Sequence, residues 1–390
     1  MKIMIIGGTG IIGTGLVNSA AERGHKVYAI CRHIPESNQY DNVSYVRCDW
    51  RNDKEANELI DKFKVDIIID GLVFGVSQLK RDLKIVERIG CERFIYISSV
   101  AVYTLPALNV KEEEASSKHK LKWSYGYNKK AVEDYLWKHK SEYDFEMTVV
   151  RPSFTYGDTR IPCAVVDRKN QWAIMKRIES SKPLLFFDDK DALHAITHIS
   201  IFSNAVIDIC ENSDAAGRTF HFGDEQSYTW DDVIEAAASH IERQPKIIHV
   251  PLKYVKKYNY QLYIETRENK YGTLTVDTTN TRQISSNSPR HVELKDGLKS
   301  TIDNLRAVLK DKSSEEFDDF CDLVFLDNFK ELKNDLDEYE YACLEEYICS
   351  LSDEEKKRIY NKRSYYLRKS YIYRTKELVK GILKVFNYYG

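Results

Sequence analysis

The chain lacks any long hydrophobic run, any CxxC pair, any internal repeat and any appreciable net charge. Its longest apolar stretches, such as residues 3–6 and 67–69, are strand-length and far short of the ~20 residues that span a bilayer. A transmembrane helix is therefore not expected. The apolar run after Met1 is too short for a secretory signal and meets Gly7 and Gly8 at once, so it reads as a first β-strand. The eight cysteines, at 31, 48, 91, 163, 210, 321, 343 and 349, form neither pairs nor His-spaced ligand patterns. Reduced core thiols in a cytoplasmic protein, with no metal site, are the expectation. A near balance of 58 Lys plus Arg against 60 Asp plus Glu gives −2 overall and no global attraction to nucleic acid or an anionic membrane. What is present is 390 residues, 43% of them hydrophobic, enough to bury a sizeable core in two or three domains and to exclude a disordered or fibrous chain.

Short β-branched runs at 2–6, 26–31, 43–47, 65–70, 93–98 and 146–151 alternate with helix-length amphipathic segments. That alternation predicts a parallel doubly wound sheet, with ligands at the carboxyl ends of its strands. Beyond Pro152 the pattern loosens into a mixed region, with a strand over 246–250 and a helix opening at Thr229, where Asp232 stands three residues on in a capping-box spacing. Past about residue 310 the composition changes. Residues 313–355 carry a net −14 and residues 356–390 a net +10, leaving +2 for the first 312. With no Gly or Pro between 313 and 380 and apolar residues three to four apart, this stretch predicts helices.

Gly7-Gly8-Thr9-Gly10-Ile11-Ile12-Gly13 follows the first strand and opens a helix over 14–23 closed by Gly24. Small residues here permit a tight turn, close approach of a pyrophosphate and close helix–strand packing, so Gly7, Thr9, Gly10, Ile11, Ile12 and Gly13 are expected at a dinucleotide. An NAD site commonly has an acid after the second strand, to hold the ribose; this chain has Arg32. Arg32 suits a 2′-phosphate, so NAD(P) with a lean to NADP is expected; the alternative is that Arg32 stacks on adenine and either cofactor binds. Asp49, after the third strand, is expected at the adenine edge or as a solvated loop acid.

Ser99 follows the fifth strand, and Tyr125 and Lys129 open a later helix four residues apart, on one face. A phenol with an ordinary pKa near ~10 needs a neighbouring cation to act as a base at neutral pH. Tyr125 as acid/base, Lys129 as that cation and as a cofactor contact, and Ser99 as a hydrogen bond to the same substrate oxygen form the candidate catalytic set. The spacing alone carries little, because Tyr365 and Lys369 repeat it in the tail with no glycine loop or Ser strand ahead of them. Order along the chain is what singles out the first pair.

These residues resemble those of extended short-chain dehydrogenase/reductases of the NAD-dependent epimerase/dehydratase group, over about residues 1–310. The resemblance rests on Gly7, Gly10 and Gly13, on Ser99 to Tyr103, on Tyr125 to Lys129 with Glu133, and on Arg151-Pro152 to Tyr156-Gly157. It implies an α/β fold: a Rossmann-type doubly wound parallel sheet, a smaller mixed α/β substrate domain and here a helical C-terminal extension. The expected boundaries are 1–160, with a return segment near 192–212, then 161–310 and 311–390. It also implies a Ser99–Tyr125–Lys129 triad, a nucleotide-linked sugar bound after Tyr156, and a homodimer. Val100 and Ala101 stand where sugar 4,6-dehydratases carry an Asp-Glu pair, so epimerase or ketoreductase chemistry is expected over elimination. Thr104, and the segment from Trp50-Arg51-Asn52 to Asp70, resemble an atypical branch that includes chloroplast RNA-binding relatives, which leaves a non-catalytic RNA-binding or scaffolding protein as the alternative.

Between 158 and 198, Arg160, Trp172, Lys176, Arg177, Lys182 and His198 form a basic and aromatic mixture suited to a diphosphate and a base. Arg160, Trp172, Arg177 and His198 are the substrate-binding candidates, against the blander reading of ordinary helix charge, a core Trp and a buried His. In the tail, Leu378, Val379, Ile382, Leu383 and Phe386 lie opposite Lys376, Lys380 and Lys384 on a helix. They suit either an anionic membrane surface or docking of this basic helix on the acidic helices of 313–355, in the same chain or a partner. Docking is the preferred expectation; no nucleic-acid module is recognisable.

Overall fold

The computed structural model describes residues 1–386 apart from 61, 117, 167–169 and 287, and leaves the side chains of 118 and 381–386 undescribed. Ile382, Leu383, Lys384 and Phe386, named above for the tail helix, thus lie outside the described side chains.

Seven parallel strands form the central sheet among the described residues: β1 (Lys2–Ile6), β2 (Lys26–Cys31), β3 (Val43–Arg47), β4 (Ile67–Asp70), β5 (Arg93–Ile97), β6 (Glu146–Pro152) and β7 (Thr219–Phe222). Their spatial order is β7-β6-β5-β4-β1-β2-β3, so the chain direction across the sheet reverses between β1 and β4. The crevice at such a switch point is where doubly wound sheets bind ligands. β4 is buried at every position because helices cover both faces. Helix α1 (Ile11–Glu22) lies on one face against Ile199–Glu211, and Val76–Ile89 lies in the apolar layer on the other. Six of the strands match the sequence expectation within a few residues. The seventh, Thr-Phe-His-Phe, pairs with β6 from residue 219 onward and enlarges the expected return segment.

A smaller sheet joins Ser227–Tyr228, His194–His198, Leu274–Val276 and Ala107–Val110, with Phe154–Tyr156 paired beside it. The helix Trp230–Ser239 starts at the expected capping box: Thr229 Oγ1 accepts from the Asp232 N–H while Asp232 accepts from the Thr229 N–H. One apolar cluster then runs without interruption from Tyr156 through Trp172, Phe186, Trp230 and Tyr258 to Phe320, Leu344, Ile359 and Tyr366. Composition changes at about residue 310, but packing does not. The helices Glu315–Asp327, Glu338–Ser350, Asp353–Asn361 and Arg363–Phe386 complete the core of the second domain.

Charge fixes where these helices sit. Asp318 and Asp322 meet Arg177, Asp327 meets Lys257 and Arg363, Asp319 meets Arg358, and Glu316 meets Lys369. The acidic segment therefore lies between residues 177–257 and the basic helix, pairing with both. His249 is a further tie: its Nε2 lies 3.0 Å from Asp231 Oδ1 and its Nδ1 bonds to Glu340 of the extension. Burial alone would lower its pKa, but the two carboxylates hold it up at about 9 against an ordinary 6.5. Because the folded value is raised, the bound proton stabilises the fold fully below pH 6.5, and that stabilisation is lost as pH rises through about 9. Wild-type unfolding free energy, relative to a His249→Asn variant, is expected to fall by about 2–3 kcal/mol across that window. Urea denaturation of both proteins at each pH checks it; parallel curves contradict it.

Candidate active site

The loop after β1 is shaped by what cannot fit in it. The Gly7 and Gly8 N–H groups both donate to Ile30 O at 3.0 Å, tying the turn to β2. A Cβ on Gly13 would stand 2.0 Å from Gly7 O, so only glycine lets α1 approach the loop this closely. Gly10, by contrast, has no atom within 3.4 Å of its missing Cβ and faces the crevice. Gly10 also N-caps α1, and no side chain caps that helix, leaving first-turn N–H groups aimed at an anion. The crevice continues past Gly7 and Gly10 to Ile30, Arg32, Asp49, Trp50, Arg51 and Leu72 on one side. On the other it reaches Ile11, Ile12, Gly13, Phe74, Ile97 and Arg160. A cradle for pyrophosphate with two arginines beside the adenosine end fits a dinucleotide. Asp49 Oδ1 accepts the Arg51 N–H at 3.2 Å, so part of its bonding capacity serves its own loop.

Tyr125 and Lys129 sit in the first two turns of the helix Ser124–His139, and Ser99 caps a short turn over Val100–Val102, accepting the Ala101 N–H at 3.1 Å. The helix reaches that turn because residue 126 is glycine. A Cβ there would stand 2.3 Å from Ala101 O, so the side chain of any other residue would push the helix, and Tyr125 with it, away from Ser99. Gly126→Ala is expected to lower kcat about 100-fold while dinucleotide affinity, measured by fluorescence titration, stays at the wild-type value. Loss of cofactor binding in step with turnover would contradict this placement.

Lys129 is 2% exposed, and its ammonium donates to Ile97 O (2.8 Å) and Val73 O (3.0 Å), bridging the ends of β5 and β4. Its Nζ lies 4.8 Å from the Phe74 ring centre, 4.9 Å from that of Tyr96 and 5.9 Å from that of Tyr125. Burial lowers its pKa to about 7, with Asp70 and Glu133 opposing that shift. Beneath the crevice Asp70 and Asp82 are both fully buried; Asp82 Oδ1 accepts from Trp50 Nε1 and the Arg81 guanidinium, and Asp70 Oδ1 from the Leu72 N–H. Burial raises both carboxyls, and Asp70 raises Asp82 further. Sequence reasoning missed this pair; the only signal was a carboxylate ending the run Ile67-Ile68-Ile69.

The remaining motif residues form a buried polar chain. Ser98 Oγ donates to Glu133 (2.5 Å), Arg151 donates to both Glu133 oxygens (2.9 and 2.7 Å) and to Tyr103 OH (2.7 Å), and Tyr103 OH lies 2.6 Å from His221 Nε2. Fully partnered chains of this kind rigidify what they join, here the helix Ser124–His139 and the ends of β5, β6 and β7. The tail pair Tyr365 and Lys369 lies instead against Glu316 on the surface, 3.1 and 2.5 Å away, a structural ion pair.

Of the four substrate candidates, Arg160 alone lines the crevice. Trp172 and Arg177 are each 1% exposed and belong to the core. Arg177 donates to Pro183 O (3.0 and 2.8 Å), Asp318 (3.0 Å) and Asp322 (2.8 Å), Lys176 to Lys312 O (2.6 Å), and Lys182 lies 3.8 Å from Asp322. The expected phosphate-binding cluster thus corrects to a docking cluster, because the acids of Glu315–Asp327 supply its counter-charges. His198 is half-buried and N-caps Ile199–Glu211, its Nδ1 2.7 Å from Ser200 Oγ and its ring 5.1 Å from that of Tyr156.

A sequence profile of the NAD dependent epimerase/dehydratase family matches residues 3–223. The chain is 21% identical over 334 residues to a UDP-N-acetyl-alpha-D-glucosaminuronate decarboxylase of Bacillus cytotoxicus, covering 80% of this chain and 99% of that protein. It is 21% identical over 254 residues to a 2′-dehydrokanamycin reductase of Streptomyces kanamyceticus, covering 65% and 70%. Its fold matches the crystal structure of UDP-glucuronic acid 4-epimerase from Bacillus cereus in complex with UDP-glucuronic acid and NAD. There the TM-score is 0.62 at 18% identity, over 79% of this chain and 100% of that one.

Proposed function

Since the chain belongs to the NAD dependent epimerase/dehydratase family, we propose that it is an NAD(P)-dependent oxidoreductase of the epimerase or ketoreductase type acting on a nucleotide-linked sugar. The observation that carries this reading is the convergence of Ser99, Tyr125 and the buried Lys129 ammonium on the carboxyl end of β5, beside the glycine crevice. Relatives and structural neighbours support the substrate class: one acts on a UDP-linked uronic acid and another binds UDP-glucuronic acid with NAD.

When bound, the nicotinamide supplies the hydride acceptor or donor. The chain does the rest. Gly7, Gly10, Gly13 and the first turn of α1 hold the pyrophosphate, with Thr9 in the loop and Ile11 and Ile12 in that turn. Tyr125, as phenolate beside the Lys129 cation, takes the hydroxyl proton of the sugar as its C–H hydride leaves, and returns it when the carbonyl is reduced. Ser99 donates to that same sugar oxygen and fixes it at the phenol. Arg160, which lines the same crevice, is the residue assigned to the diphosphate of the substrate. Val100 and Ala101 offer no carboxylate to expel water, which favours epimerisation or reduction over elimination.

Arg32 and Arg51 at the adenosine end favour NADP. Arg32→Ala is expected to weaken NADPH binding about 10- to 100-fold with little change for NADH, read by fluorescence titration. Equal wild-type affinity for both cofactors, unchanged in the variant, contradicts the preference. The wider reading is tested by adding UDP-linked sugars with either cofactor and following nicotinamide absorbance and product mass.

A further inference from the structure

The last helix is docked through a mixed edge, Tyr366 and Leu367 packing on the apolar cluster while polar groups beside them find partners. Tyr366 and Ser370 are buried: Tyr366 OH donates to Glu316 O (2.7 Å), and Ser370 Oγ donates to Lys256 O (3.0 Å) and accepts from the Tyr260 N–H (2.9 Å). Glu377, the only acid of the helix, accepts from Ser124 Oγ at 3.3 Å. The outward side carries a second, unburied apolar set: Tyr371 is 70% exposed, Leu378 59%, Val379 50% and Ile372 47%. Tyr371 and Leu378 are seven apart, as are Ile372 and Val379, so they form two rows two turns long, about 100° apart around the helix, with Arg368 and Thr375 between them. Exposed Arg368, Arg374, Lys376 and Lys380 share the outer surface.

We propose that this outward face of Arg363–Phe386 binds an anionic lipid surface, the helix lying in the plane of the headgroups. The apolar rows suit the acyl boundary, and the basic residues suit anionic headgroups. The helix holds seven Lys or Arg against the single inward Glu377, so a second copy placed on the same face would bring like charges together, whereas anionic lipid neutralises them. Among the described residues no helix is long and apolar enough to cross a membrane, so the contact is peripheral. The inward Glu377 touches Ser124, the residue preceding Tyr125, so the last helix would stand between a bound surface and the helix Ser124–His139. None of this depends on the proposed reaction.

The test uses the full chain with sedimented vesicles of phosphatidylcholine, with and without one-third phosphatidylglycerol. Binding is expected to the phosphatidylglycerol vesicles, weakened by salt. A Leu378→Ser, Val379→Ser variant is expected to lower the bound fraction about ten-fold, and an Arg368→Gln, Lys376→Gln variant to lower it at low salt, both with wild-type helical content, wild-type mass by light scattering and unchanged turnover. Absence of binding to phosphatidylglycerol vesicles overturns the proposal. So does binding that survives the Leu378 and Val379 changes, or a wild-type dimer that these changes dissolve, which would assign the face to a second copy.

Discussion

Tyr125→Phe is expected to lower kcat by about 1,000-fold, with KM for the nucleotide sugar and affinity for the cofactor nearly unchanged. The change removes one oxygen from a half-buried ring packed beside Trp123, centroids 4.8 Å apart, so shape and packing survive. What is lost is the group proposed to accept the substrate proton as hydride departs, an interaction that would strengthen only on the way to the transition state. Rapid-mixing kinetics with the UDP-linked sugar that turns over best, and a melting curve for each protein, separate the two effects. A variant retaining more than a tenth of wild-type kcat assigns the proton to another group.

The second large effect is structural and far from the chemistry. Arg177→Met leaves Asp322, whose side chain is 2% exposed, without its strongest partner, Lys182 being the nearest remaining cation at 3.8 Å. Breaking a buried pair from one side costs about 3–5 kcal/mol. Because the acidic helix shares its core with residues 156–309, the loss is expected to appear as a lower urea midpoint and as protease cleavage within residues 311–386. Adding Asp322→Leu removes the stranded charge, so the double variant is expected to lose less than the single one. A single variant within about 0.5 kcal/mol of wild type, the range of ordinary surface changes, contradicts the docking role.

The sequence was informative wherever a local rule suffices. The glycine loop, the Thr229 capping box and the Tyr125–Lys129 spacing each follow from a few adjacent residues, and the structure places them as expected. Reading failed where meaning depends on what lies opposite. Arg177 and Trp172 have the residue types of a diphosphate and base site, and nothing in 172–182 reveals that Asp318 and Asp322, about 140 positions later, face them. His198 N-caps Ile199–Glu211, a role that its neighbours in the sequence do not announce. β7 is four residues long and its partner is β6, some 70 positions earlier, a pairing no local pattern specifies. The opposed charges of 313–355 and 356–390 did foretell helices that pair with each other, but not that the acidic set would also hold the substrate domain.

The central claim is that Ser99, Tyr125 and Lys129 move a proton at a sugar hydroxyl while the crevice beside them holds a dinucleotide. It is tested most directly by incubating the purified protein with UDP-glucuronic acid, UDP-N-acetylglucosamine and UDP-glucose, each with NAD or NADP, and identifying the products by mass spectrometry and NMR. The account predicts a cofactor-dependent change at a sugar carbon for at least one of them, abolished in Tyr125→Phe. No change in any sugar, with no dinucleotide bound to the protein, would contradict it.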